Sequence, residues 1–230
     1  MIRQIKKLAR EKGFTIFKQP FYLNIWGFRA NSSVPNSFDD EMHAFMNIGT
    51  AKRAKWVYYV FRCTTDPGTF WLKNPMNPQG TAIVHPGQYP NSHSIGLHKG
   101  QYKALVQTGA MWVVRDYNRD AVLDFNSGKI VKGLYGINIH HASKNGESYT
   151  VDKWSAGCQV FKNIHDYDFF IKLAEVHRKY HGNKFTYTLV DKRMEYRSKL
   201  KTITIASVLL GLVVGGYYLI SSSESESQTS

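Results

Sequence analysis

The chain has 230 residues, a formal net charge of +13 and only two cysteines, Cys63 and Cys158. That length supports one well-buried domain, and the cysteine count with no CxxC pair excludes a disulfide-dense scaffold and a structural zinc–thiolate site. The charge attracts polyanions without choosing among nucleic acid, anionic lipid and acidic wall polymers.

Residues 1–13 form a basic N-terminal arm, either a short amphipathic helix or an unstructured lead. The arm lacks the apolar run that follows the basic start of a signal peptide, so no export signal is expected. A folded domain is expected over 14–191. It opens with FTIFKQPFYLNIWGF, residues 14–28, read as one or two strands that Pro20 interrupts. Within the following loop, Ser37 and Asp40 suit the cap of a short helix running through Met42 and Phe45. WVYYVFRCTT, residues 56–65, reads as a central strand that ends at Asp66-Pro67-Gly68, with Cys63 as a small buried hydrophobe.

The stretch 70–105 is rich in turn residues and breaks into short strands around 81–84 and 101–106. MWVVRDYNRDAVLDF adds a strand and a polar turn. Apolar residues at 169, 170, 173 and 176 give a helical period that Gly182 stops, and FTYTLVD, residues 185–191, alternates as the last strand. Many short strands with one late helix define a mainly β, α+β fold and exclude a doubly wound sheet.

Residues 192–201 are a basic juxtamembrane run, and 202–220, TITIASVLLGLVVGGYYLI, carry no charge. Nineteen residues make about 28 Å of helix, enough for a single transmembrane span. The expected topology is a C-terminally anchored membrane protein whose basic flank keeps the large domain on the cytoplasmic side. Gly211, Gly215 and Gly216 permit homodimer packing of such helices, and 221–230 form a disordered polar tail.

The chemistry concentrates in GINIHHASKNGESYTVDKWSAGCQVF, residues 136–161. A strand ending in His140 and His141, followed 17–18 positions later by Cys158, brings an imidazole toward a thiol, the common cysteine nucleophile arrangement. Strand alternation lets one of the two histidines reach the thiol. His140 is the preferred base and His141 the alternative. Gly157 allows a tight turn, and the N–H groups of Gly157 and Cys158 are candidate oxyanion donors. Ser155 can orient the loop, Trp154 can form a wall, and His98 in GLHKG can line a cleft. Asp152 reads as a solvated loop carboxylate. His85, His93 and His98 match no metal signature, and the thiol reaction needs no cofactor. Lys99, Lys103, Arg115 and Arg119 add positive charge, read most simply as scattered surface. The absence of a basic stripe or helix-turn-helix setting argues against nucleic acid as partner.

GINIHHA followed by WSAGC resembles the catalytic domain of L,D-transpeptidases, in which a strand-end histidine precedes a Ser-His-Gly-Cys or Thr-His-Gly-Cys motif. GTAIVHPGQY and GLHKGQYKALVQ add to a likeness to phage-encoded members. The resemblance implies a β-sandwich or barrel with a helix after the cysteine. It implies peptidoglycan stem peptides as substrate, a thioacyl intermediate on Cys158, and Ser155 and Gly157 in the catalytic loop, with His98, His141, Trp154, Ala156 and Gln159 at the substrate. A phage lysin on a host or virion membrane is the setting it suggests. Ala156 stands where the family has histidine, and Gln159-Val160-Phe161 stands where an apolar residue and arginine are usual. Those departures also fit an inactive viral membrane or structural protein that binds cell wall.

Overall fold

Strand-forming aromatic and β-branched residues dominate the computed structural model, which describes residues 2–31, 34–126 and 128–192. The elements in order are α1 (Ile2–Lys12), β1 (Asn24–Arg29), β2 (Asp40–Asn47), β3 (Trp56–Thr64), α2 (Thr69–Lys73), β4 (Thr81–Val84), β5 (Gly87–His98) and β6 (Tyr102–Gln107). They continue with β7 (Met111–Asp116), β8 (Ile130–Gly133), β9 (Ile139–His141), β10 (Gln159–Phe161), α3 (Ile164–His181) and β11 (Phe185–Asp191), and a 3-10 turn at Asp152–Trp154 precedes β10.

Eight strands close a barrel in the order β1-β11-β5-β6-β9-β10-β3-β2, and β4-β7-β8 form a separate three-stranded sheet. The pairs β1/β11 and β9/β10 are parallel. One apolar cluster fills the barrel with Ile25, Met42, Phe61, Cys63, Leu105, Ile139, Phe161 and Leu189. It continues into α3 through Phe170 and Ala174, and into the small sheet through Ala82 and Val113. Polar residues clamp one end. Arg29, 1% exposed, reaches Asp66 at 2.7 Å and Asp191 at 3.6 Å. Asp40 accepts from the backbone N–H groups of Ala30 and Thr65 and from the Thr65 hydroxyl. Four strand ends are thereby tied by charge-assisted bonds.

Several expectations change here. The N-terminal arm is the helix α1, whose Ile5 and Ala9 pack on Trp26, Phe28 and Phe45. Residues 14–23 precede the single strand β1 rather than forming one of their own. The helix expected across 37–45 is instead β2. Met42, Ala44 and Met46 alternate into the core, and pairing with β1 and β3 overrides the local cap signal. The turn-rich stretch holds the 12-residue β5, sustained by partners on both sides despite Gly87, Pro90 and Gly96. α3 ends at Gly182 as expected, at φ 81°. Its buried stripe is Tyr167, Phe170, Ile171, Ala174 and His177, leaving Phe169 and Val176 partly exposed.

No helix among the described residues is long and apolar enough to cross a membrane. The spanning helix expected at 202–220, the polar tail and nearly all of the basic run before them lie outside the described residues.

Candidate active site

Cys158 immediately precedes β10, whose parallel register with β9 pairs Val160 with His140 and Gln159 with Ile139. Alternation on paired parallel strands puts Cys158, Asn138, His140 and Val160 on one face and Ile139, His141, Gln159 and Phe161 on the other. His140 therefore shares the face of the thiol. β5, β6, β9 and β10 are consecutive in the barrel, which adds His98 and Tyr102 to the same rim.

The site is a stack of rings over hydrogen-bonded backbone. His98 lies on His140 with centroids 4.1 Å apart. His140 Nδ1 lies 2.7 Å from the His141 carbonyl, which can only accept, so the proton sits on Nδ1. The Tyr102 hydroxyl lies 3.2 Å from the same nitrogen. That leaves His140 Nε2 as a bare lone pair, buried and without a hydrogen-bond partner. His141 packs instead against Tyr102 and Tyr167, at 4.2 and 5.2 Å between centroids, with Nδ1 on the Ala142 carbonyl.

The thiol is half-buried and donates to the Gly136 carbonyl at 3.3 Å. Burial raises its pKa to about 11, against smaller lowering contributions from the Asn138 backbone N–H and Lys99. Burial also lowers His140 to about 3, reinforced by His98. The two shifts run in opposite directions, and both favour a neutral thiol beside a neutral imidazole at rest.

Gly157 has φ 118°, and a Cβ there would fall 2.3 Å from the Ala82 carbonyl oxygen, so glycine is required on both counts. The Ser155 hydroxyl donates to the Cys158 carbonyl at 2.8 Å and accepts from the Gly157 N–H at 3.1 Å. Ser155 thus shapes the loop, and the Gly157 N–H expected at an oxyanion is already engaged. Gln159 points into the barrel, its amide held by the Gly157 carbonyl at 3.2 Å and the Tyr187 hydroxyl at 2.6 Å. Trp154 is 45% exposed on the 3-10 turn, and Asp152 is exposed beside it. His93 is buried between Ser92 and the Ile137 carbonyl, away from His85, whose Nδ1 meets the Pro86 carbonyl. The described residues contain no metal-binding group of three His, Cys, Asp or Glu.

Two contributors escape the sequence reading. Asn138 organises the rim: Nδ2 donates to His98 Nδ1 at 3.0 Å, Oδ1 accepts from the Gln107 N–H at 2.9 Å, and its carbonyl accepts from the Gln159 N–H. Arg115 lines a cavity of about 310 Å³ together with Met76, Gly80, Leu134, Tyr135 and Ala156. The available signal was parity, because Arg115 shares a strand face with Met111 and Val113, both 0% exposed. No protein-family model, curated protein or solved structure matches the chain.

Proposed function

We propose that the protein is a cysteine-dependent acyl-transfer enzyme of the L,D-transpeptidase-like type, acting on peptidoglycan stem peptides or cross-links. The observation that carries this reading is the shared face of Cys158 and His140, with the His140 tautomer leaving its Nε2 lone pair as the available base. Because the resting thiol is protonated, its proton would leave as sulfur attacks the carbonyl, in a general-base step rather than from a stored thiolate. The thioacyl enzyme would then be resolved by water or an acceptor amine. An anchored lysin remains the setting in which such a reaction would serve a phage, with the anchor supplied by residues 202–220.

A second reading is an inactive, wall-binding relative. It is supported by the opposed shifts of thiol and imidazole, each away from the value that transfer requires, and by Ala156. Incubating the full-length protein with purified muropeptides and following product masses separates the two. The enzyme reading expects new products that disappear in Cys158→Ala. Binding to sacculi with unchanged muropeptide masses refutes it and favours the second.

A further inference from the structure

A buried guanidinium that has some hydrogen bonds but no counter-charge leaves room for an anionic partner. Arg115 is in that position. It is 7% exposed, donates through Nη1 to the Gly80 carbonyl at 3.1 Å and lies 4.6 Å from the centre of the Tyr135 ring. Its Nε is buried with no hydrogen-bond partner, and it forms no ion pair among the described residues. The adjacent Asp116 lies on the opposite strand face and accepts from the Asp124 N–H at 3.1 Å. Arg115 is the charged residue among those described in the cavity lining. Met76 and Leu134, 73% and 65% exposed, give the same cavity an apolar border.

One cation in a mixed lining, with Asn77 and Thr81 beside the apolar Met76 and Leu134, suits one negative charge on a small, partly apolar ligand. A planar fork with an unused donor suits a carboxylate, whereas a phosphate dianion would keep a charge that no further lining cation balances. The volume is near the lower end for small-molecule sites, enough for about one or two amino-acid residues.

We propose that this cavity is a carboxylate-binding subsite in which Arg115 holds the anionic end of a short acyl-peptide ligand. The cavity lining and the thiol are connected through two short chain segments. Ala156 lies two residues before Cys158, and Tyr135 immediately precedes Gly136, whose carbonyl accepts a hydrogen bond from the thiol. That a bound peptide presents its scissile carbonyl to Cys158 rests on the acyl-transfer reading, whereas carboxylate binding itself does not.

The test is ligand-observed NMR titration of the full-length protein with N-acetylalanine in both enantiomers, N-acetylalaninamide and inorganic phosphate. Saturable binding of the acid is expected, with the amide at least tenfold weaker and phosphate unable to compete. Arg115→Gln should weaken the acid at least tenfold. Ala156→Leu, which takes up cavity volume while keeping the Arg115 charge, should do the same while retaining the wild-type melting curve. Equal binding of acid and amide, absence of saturable binding, or displacement by phosphate overturns the proposal. Cys158→Ala should bind the acid with unchanged affinity. Normal binding with no muropeptide turnover in the wild type would therefore sink the enzymatic reading and leave the subsite standing.

Discussion

The protonation state of Cys158 can be read directly from thiol–disulfide exchange with a small aromatic disulfide. With a pKa of about 11, the thiolate fraction at pH 7.5 is roughly 0.03%, against about 10% for an ordinary cysteine. A more basic thiolate is intrinsically more nucleophilic, which recovers roughly tenfold of that roughly 300-fold deficit. Cys158 should thus react about 30-fold more slowly than a free cysteine peptide at pH 7.5. Its rate should climb about tenfold per pH unit from pH 7 to 10, since only the thiolate reacts. Cys63 is fully buried with its thiol pushed far upward by burial, so it should stay silent, and a Cys63→Ser variant should give the same profile. A rate that is flat between pH 6 and 8 would mean a stored thiolate–imidazolium pair and would refute the reasoning.

Other consequences are equally direct. His140→Ala should lower muropeptide turnover at least ~100-fold, as loss of a general base does, while changing the disulfide exchange rate less than ~3-fold. Gly157→Ala should cost about 2–4 kcal/mol in urea unfolding, because its φ of 118° and the 2.3 Å approach to Ala82 leave no room for a methyl group. Removing the buried cation with Arg29→Met should cost about 3–5 kcal/mol, because Asp66 and Asp191 would lose their counter-charge. Burial raises Asp116 to about 6. The folded state therefore holds its proton more tightly than the unfolded chain, and unfolding free energy should fall as pH rises from about 4 to 6. Asp116→Asn should flatten that slope.

The sequence made the shared strand face of Cys158 and His140 legible because strand parity is a local rule. His140 and Cys158 lie 18 positions apart, and β9 and β10 happen to pair in a register that preserves the face. The strand at 56–64, the helix ending at Gly182 and the last strand were legible for the same reason, since each has a period or a stop within it. β5 was not, because Gly87, Pro90 and Gly96 read as turns and its strand character comes from pairing with the adjacent β6 and with β11, which is far away in the chain. The capping signal at Ser37 and Asp40 misled in the opposite sense. Asp40 is indeed a hydrogen-bond acceptor for backbone N–H groups, but those of Ala30 and Thr65 in neighbouring segments rather than of a helix start. Arg115 looked like surface charge because burial of a cation depends on the sheet that covers it.

The parallel pairing of β1 with β11 also constrains how the chain is made. Residues 24–29 emerge from the ribosome early, yet one of their two strand partners, residues 185–191, is among the last parts of the domain to be synthesised. Until then β1 can pair only with β2, and β5 likewise lacks its β11 neighbour. Asp191, which faces Arg29 across that late seam, arrives with it. The nascent chain must carry these unpaired strand edges, and that of β3 until β10 is made, and such edges are where a chaperone would bind or a truncated product would aggregate.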